Sequence, residues 1–449
     1  MWTSGSINAP GGNLDPDLGG NPYIDNNDTP GCEEGGINCF PLKWKTTAEY
    51  YEDAGTSWQV FQDADNFDDN QLVWFENFQN AKNDSSLYKR GVEGEPLQSF
   101  YDRAANGTLP EVSYIVGPAQ LAEHQPYAPH DGAWLQTQIA KAVTESPKYN
   151  STVLIVSYDE TGGWFDHVNP FHSPSGTAGE WIDDPYGSGY VFTGPGLRVP
   201  FYIISPWTRN GGVFVEHSDH NSQIKFIEKW QAAKGRNVTS EEMAPWRREN
   251  MADLVNAFDF DNPDYSIPSF PDAPVPHKDD DGNYDGSSHC EATYPSNQPD
   301  VPYTGNGVID DMASVVEKGF KPVRGKLTEG RWLTFETDGN ALSHSSDSSV
   351  DLDDASPDHD SEDQRWIVNV QELGGTEFTL QTASKDYYIC DDLKLCEDES
   401  DALVFDVSFV AGKGYQFTTE SDGALVVSDG SVSLEDDDGS YWSAFSVNY

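Results

Sequence analysis

The chain has 449 residues, of which 76 are Asp or Glu and 26 are Lys or Arg, so its formal net charge is −50. Such a field repels nucleic acid and anionic membranes, which argues against both as electrostatic partners. Apolar residues at 36% and aromatic residues at 12% suffice for a sizeable core and are typical of a globular protein. Adaptation to high salt is an alternative cause of the acidic composition.

Apolar runs and helical patterns alternate along the first half of the chain. Each of the four apolar runs predicts a core strand: 58–61, 112–117, 153–156 and 201–205. The order strand, helix, strand predicts an α/β domain over residues 1–261, with a mostly parallel sheet flanked by helices.

Helix starts are marked by polar residues ahead of periodic patterns. Thr46 and Glu49 form the spacing of a capping box, and Asp131 is the predicted cap of a helix that ends near Glu145. A further helix is predicted over 222–232, and its amino-terminal end is a favourable place for an anion such as phosphate.

An acidic, glycine-rich loop follows the run 153–156, which is rich in β-branched residues and predicts a strand buried on both faces. The loop places Asp159 beside Glu160, allows a tight turn at Gly162–Gly163, and continues into Asp166–His167. In open α/β sheets, ligands bind beyond the carboxyl ends of the strands, so these groups lie where chemistry is expected. A solvated acidic turn is the alternative.

The loop sequence DETGGWFDHV at 159–168 resembles the signature of the phosphoesterase family that contains acid phosphatases and non-specific phospholipases C. That family belongs to the alkaline-phosphatase-like superfamily. Further stretches agree with the resemblance over roughly residues 1–260: YYEDAGTSWQVFQD at 50–63, EHQPYAPHDGAW at 123–134, GLRVPFYIISPW at 196–207 and DHNS at 219–222.

The resemblance implies metal-assisted hydrolysis of a phosphate ester, either a phospholipid or a phosphomonoester. Asp159 and Glu160 are the implied ligands of one divalent cation of undetermined identity. Adjacent strand residues face opposite ways, so both reach one ion only if the backbone turns after Tyr158. In the alternative, one of the two carboxylates faces solvent.

Four residues are candidates for catalytic roles. His124 and His220 are candidates to contact phosphate or protonate the leaving oxygen, and Asp166 with His167 to orient and protonate a phosphate oxygen. Alternatively, Asp166 stabilises the turn and His167 is structural. Arg198 either holds phosphate or fixes a loop through an ion pair.

The nucleophile is not identified among these residues. In the family, a Glu-Asn motif and a hydroxyl nucleophile precede the segment that WTSG at 2–5 resembles, so we expect the nucleophile upstream of Met1. The resemblance thus implies a member shortened at its amino terminus. A catalytically inactive homologue that binds a glycan or a protein is the alternative function.

The last part of the chain differs in composition and contains an internal repeat. Residues 262–324 are rich in Pro and Asp and predict a linker or wrapped loop. Three units of four short strands follow over 325–449, twelve strands in all, and their count and spacing resemble a β-trefoil. A glycan is a candidate ligand, although QRW at 364–366 is the only trace of the sugar-binding trefoil signature.

Several features predict secretion. Sequons for N-glycosylation begin at Asn27, Asn83, Asn106, Asn150 and Asn237. Two local disulfides are predicted, Cys32–Cys39 and Cys390–Cys396, which leaves Cys290 unpaired. No stretch is long enough to predict a transmembrane segment.

Overall fold

The computed structural model describes residues 3–18, 41–63, 69–164, 166, 168, 170–184, 187, 189–209, 211–294, 319–346, 348–372, 375–420, 423–436 and 438–448. The predictions for Asn27, Cys32, Cys39 and His167 concern residues outside these ranges. Within them, no helix combines the length and apolar character that crossing a membrane requires.

The helices and strands of the described residues are as follows. The α-helices are α1 Thr47–Ala54, α2 Glu76–Gln79, α3 Leu97–Asn106, α4 Pro129–Thr144, α5 His220–Ala233, α6 Pro245–Asn250 and α7 Gly286–Thr293. The strands are β1 Trp58–Gln62, β2 Val112–Val116, β3 Leu154–Ser157, β4 Trp181–Asp183, β5 Tyr190–Phe192, β6 Phe201–Ile204, β7 Gly319–Val323, β8 Trp332–Thr337, β9 Asn340–Ser346, β10 Ser349–Asp354, β11 Trp366–Val370, β12 Glu377–Thr382, β13 Tyr388–Cys390, β14 Lys394–Cys396, β15 Phe405–Val410, β16 Gly414–Thr419, β17 Gly423–Ser428, β18 Ser431–Glu435 and β19 Ser443–Asn448.

The first α/β unit forms as its sequence predicts. The Thr46 side chain accepts from the Glu49 amide while the Glu49 side chain accepts from the Thr46 amide, which confirms the capping box ahead of α1. β1 and β2 pair in parallel with α3 between them in sequence. Trp58 and Phe78 pack edge to face, 6.4 Å apart, in the core beneath this pair.

The second pair of strands departs from the prediction of one mostly parallel sheet. β3 pairs antiparallel with β6, in a sheet separate from β1 and β2 among the described residues. β3 is half-buried rather than buried on both faces, and Phe201 and Tyr202 of β6 are exposed. The reason is that an apolar run specifies a strand without specifying its partner or the direction of pairing.

The helix that precedes β3 begins earlier than predicted. Ala128 occupies the N-cap of α4 and Pro129 its first position, where the fixed φ of proline suits a helix start. Asp131 lies inside the first turn and is buried, so its prediction as the cap is wrong. Burial raises the pKa of its carboxyl.

The carboxy-terminal part is a large antiparallel β structure whose strands lie where the internal repeat predicts them. Each of the twelve predicted strands is observed, as β8 to β19, and β7 is added in front by pairing with β19. A single core fills its interior, including Phe335, Trp366, Phe405 and Phe417, all at 0% exposure. Cys390 and Cys396 form the predicted disulfide.

Six of these strands pair in a closed ring. Consecutive pairs join β8 to β11, β11 to β12, β12 to β15 and β15 to β16. A bridge between Tyr415 and Trp442 connects β16 to the start of β19, which pairs with β8. The remaining strands form three hairpins, β9–β10, β13–β14 and β17–β18.

The two parts of the chain meet through several contacts. The Thr328 hydroxyl lies 2.5 Å from Nδ1 of His217, a hydrogen bond between buried side chains. Glu216 forms a β-bridge with Arg324. Gly330 lies so close to His172 that a β-carbon there would be 2.9 Å from the His172 amide nitrogen.

The described portion of the predicted linker packs partly on the α/β part. The ring of Tyr284 lies 6.0 Å from that of Trp134 on α4 and packs against the core there. This contact attaches one point of the segment to α4. The linker or wrapped loop at 262–324 and the domain boundaries at 261 and 325 stay predictions.

Candidate functional site

The acidic loop after β3 turns as the glycine pair predicts. Gly162 and Gly163 have φ of 62° and 74°, in the left-handed region that favours glycine. Asp159 and Glu160 are both exposed at the end of the strand, and Oδ1 of Asp159 accepts from the Glu160 amide at 2.9 Å. This local bond holds the two carboxylates on the same turn.

His124 reaches this loop from the segment after β2. Its Nε2 lies 3.7 Å from Oε1 of Glu160, and both side chains are about half exposed, at 53%. Its Nδ1 lies 2.6 Å from the Gln125 carbonyl, so Nδ1 carries a proton and Nε2 is the atom directed at Glu160. The structure therefore brings together His124 and Glu160, which lie far apart in sequence.

His220 also contacts this loop, as the first residue of α5. Its Nε2 donates to the Tyr158 carbonyl at 2.8 Å, directly before Asp159. Burial lowers the pKa of His220, which favours the neutral ring. Asp219 caps α5 by accepting from the Asn221 amide at 2.9 Å.

Asp166 is engaged by Arg198. Nη2 of Arg198 donates to Oδ1 of Asp166 at 2.8 Å, and the Arg198 amide donates to Oδ2 at 2.7 Å. Although burial acts against it, these hydrogen bonds hold the pKa of Asp166 below its usual value. The geometry favours the alternatives in which Asp166 stabilises the turn and Arg198 fixes a loop.

A buried ion-pair cluster supports the start of α5. Arg247 on α6 is 4% exposed; its Nη1 donates to Oδ2 of Asp219 at 2.7 Å and its Nε to Oε2 of Glu180 at 2.8 Å. Asp219 therefore caps the helix with one oxygen and holds Arg247 with the other. This cluster could not be predicted from the sequence, because its members are distant along the chain.

A hydrogen-bonded network next to the loop was also not predicted from the sequence. Gln136 on α4 donates to Oε1 of Glu123 at 2.6 Å and to the Tyr158 hydroxyl at 2.7 Å. The Tyr158 hydroxyl donates to Oε2 of Glu123 at 2.7 Å. Glu123 and Tyr158 directly precede His124 and Asp159, so the network fixes the backbones that carry both site residues. The one available signal in the sequence was that Glu123 and Tyr158 each adjoin a candidate site residue.

The donor set of the acidic loop suits a hard divalent cation. Among the described residues, no group of three or more His, Cys, Asp or Glu side chains is arranged to hold a metal. However, Mg²⁺ commonly takes only one or two protein carboxylates, keeping waters and substrate oxygens as its other ligands. Two exposed carboxylates on one turn, Asp159 and Glu160, fit that mode of binding.

Comparison with known proteins identifies the family of this chain. The model of the Phosphoesterase family matches residues 2–232, and the chain belongs to this family. A non-hemolytic phospholipase C of Burkholderia pseudomallei is 33% identical over 309 residues, which cover 61% of this chain and 41% of that protein. A non-hemolytic phospholipase C of Pseudomonas aeruginosa is 36% identical, covering 51% of this chain and 35% of its own length. Phospholipase C A of Mycobacterium tuberculosis is 31% identical, and the match covers 58% of this chain and 50% of that protein.

The matched regions thus span between about a third and a half of the curated relatives' lengths. The family match ends at residue 232, within α5, and includes the acidic loop and His124. The carboxy-terminal β structure lies outside it.

Proposed function

We propose that this protein hydrolyses phosphoric esters at the loop after β3, as a phosphoesterase of the phospholipase C or acid phosphatase type. The observation that carries the proposal is the approach of His124 to Glu160, with Nε2 3.7 Å from Oε1, in a chain of the Phosphoesterase family. The names of the similar proteins, all phospholipases C, support the same reaction class.

Each residue has a separate task in this proposal. Asp159 and Glu160 hold the divalent cation, which when bound stabilises the charge that develops on the phosphate oxygens. His124 presents Nε2 to the leaving oxygen and, when protonated, donates to it. His220 remains neutral and fixes the start of the loop through its bond to the Tyr158 carbonyl.

A phospholipid is the substrate class that we favour. Trp164 is 54% exposed in the acidic loop, and the ring lies against Gly162, which itself approaches His124. Leu197, next to Arg198, is also exposed, at 45%. Apolar side chains at the edge of a phosphate site suit an ester that carries acyl chains. Release of product from phosphatidylcholine vesicles and from soluble phosphomonoesters, compared at equal concentration, decides between the two classes.

The metal assignment is tested by calorimetric titration of the protein with Mg²⁺ and Ca²⁺. The double variant Asp159→Asn with Glu160→Gln should lose the tight site. A matched control, Asp280→Asn with Asp281→Asn, removes another exposed adjacent acid pair from the same acidic chain and should retain it. Equal loss in both double variants would show that binding is only general attraction to negative charge.

For the carboxy-terminal part we propose a β-trefoil that binds a glycan, as a second activity. The closed ring of six strands with three hairpins supports the fold. A polar groove of about 550 Å³ there is lined by Glu336, Asp338, Lys413 and Tyr441, which offer carboxylates and an aromatic ring for sugar hydroxyls and ring faces. Screening immobilised glycans against the protein and a Tyr441→Ala variant tests this; binding unaffected by the substitution contradicts the groove.

We also propose that the protein is secreted. The described sequon residues Asn83, Asn106, Asn150 and Asn237 are all exposed, as glycan attachment requires, and the Cys390–Cys396 disulfide suits an oxidising compartment. Mass spectrometry of protein isolated from the native medium would reveal attached glycans at these four positions.

A further inference from the structure

Arg331, between Gly330 and β8, carries buried donors that lack an acceptor. The residue as a whole is partly exposed, but its Nε and Nη2 atoms are sealed from solvent and have no hydrogen-bond partner among the described residues. No ion pair of Arg331 occurs there either. Burial lowers the pKa of Arg331 to about 10, and a buried charge without a counter-ion is costly to the fold.

His217 presents a similar donor at the same junction. The side chain is 7% exposed, and the ring stacks on Phe171 with centroids 4.1 Å apart. Its Nε2 is buried and has no hydrogen-bond partner in the described part of the chain. Nδ1 lies 2.5 Å from the Thr328 hydroxyl. With that hydroxyl donating to Nδ1, the ring proton sits on Nε2. Burial lowers the pKa of His217, and the charge of Arg331 lowers it further, so the ring stays neutral.

Within the ranges that the structure describes, no acceptor reaches these groups, although acidic residues outnumber basic ones by 76 to 26 in the full sequence. Nε and Nη2 form the edge of a guanidinium that binds an anion through two parallel hydrogen bonds. Buried polar groups in folded proteins are satisfied by a partner, an ordered water or an ion. A neutral water does not compensate the charge of Arg331, whereas an anion does.

We propose that the junction between the α/β part and the carboxy-terminal β structure binds one compact monovalent anion, of the size of chloride, between Arg331 and His217. The ion is compact because the donor atoms are sealed from solvent, which excludes a phospholipid head group or a glycan. Its contacts lie on both parts of the chain, so it stabilises their docking. This site is separate from the Asp159–Glu160 loop and does not depend on phosphoesterase activity.

Thermal unfolding at constant ionic strength, with chloride replaced stepwise by gluconate, tests the proposal. Gluconate is too large for an enclosed site. Above the dissociation constant, Tm should rise by about 1.5 °C for each tenfold increase in chloride, from the linkage relation and the average unfolding entropy per residue. Arg331→Met and His217→Phe should each abolish this rise. The control Arg324→Met removes an exposed cation of the same segment and should retain it.

Crystals grown in bromide provide a measurement that needs no variant. An anomalous peak within hydrogen-bond distance of Arg331 Nε or Nη2 and of His217 Nε2 is the expected result. The proposal is overturned if no such peak appears, if chloride and gluconate give the same Tm, or if Arg331→Met keeps the chloride dependence.

Discussion

Replacing Arg247 by Met should strongly destabilise the protein, because two buried carboxylates lose their shared cation. Glu180 is 1% exposed, and the Asp219 side chain is 9% exposed. Removing one partner of a buried ion pair typically costs about 3–5 kcal/mol, since the charge that stays behind is uncompensated. We expect the free energy of unfolding to fall by about that amount at pH 8.

The loss should depend on pH in a defined direction. Burial raises the pKa of Glu180 even with Arg247 present, and removing the cation raises it further. The folded variant therefore takes up protons as the pH falls, while the unfolded chain stays ionised down to its ordinary pKa. The free energy of unfolding of Arg247→Met should thus recover between pH 8 and pH 5.

Urea unfolding followed by tryptophan fluorescence at pH 8 and pH 5 measures both effects. Adding Glu180→Gln to Arg247→Met should restore about 1–2 kcal/mol at pH 8, because one buried charge is removed. Lys394→Met serves as the control: it breaks an ion pair with Asp392 in which the side chains are 67% and 81% exposed, and should change stability by less than about 1 kcal/mol. A loss for Arg247→Met that matches this control, or one that is the same at both pH values, would refute the reasoning.

Two further predictions concern the carboxy-terminal part. Burial raises the pKa of Glu329 from 4.5 to about 7, so the folded state keeps a proton that the unfolded chain releases, and stability falls as the pH rises through this range. Glu329→Gln retains the acceptor for the Val370 amide. Its free energy of unfolding should equal that of the wild type at pH 4 and exceed it by about 1–3 kcal/mol at pH 8. A difference that is constant with pH in urea titrations contradicts this. Gly330→Ala should lower the free energy of unfolding by about 2–3 kcal/mol, and Gly339→Ala by about 1 kcal/mol. Both glycines have positive φ (93° and 82°), but only Gly330 faces the backbone of another residue, His172. Equal costs for the two alanine variants would exclude a close contact at the junction.

The sequence predicted best what depends on local periodicity. The strands β8 to β19 follow from two-residue alternation repeated in three units, and the capping box of α1 from a four-residue pattern. The pairing direction of β3 and β6 was not predictable from such patterns, because it depends on contacts between residues far apart in sequence.

The candidate site also combines features that local patterns predict with contacts that they do not predict. The turn at Gly162–Gly163 follows from local chemistry. An ion pair of Arg198 was foreseen only as one of two alternatives, and its partner Asp166 was not foreseen, because an acid and a base far apart in sequence carry no sign of meeting. The clusters around Arg247 and Gln136 were missed for the same reason: each is assembled from elements that only the fold brings together.

The segment from His217 to His220 connects the carboxy-terminal part of the chain to the acidic loop. One end contacts Thr328 of the carboxy-terminal part, and the other end holds the Tyr158 carbonyl at the start of the acidic loop. Thermodynamic coupling is reciprocal: whatever free energy the docked β structure contributes to ordering that loop, a ligand bound at the loop returns to the docking. Docking of the carboxy-terminal part and order in the acidic loop are therefore linked through one four-residue segment.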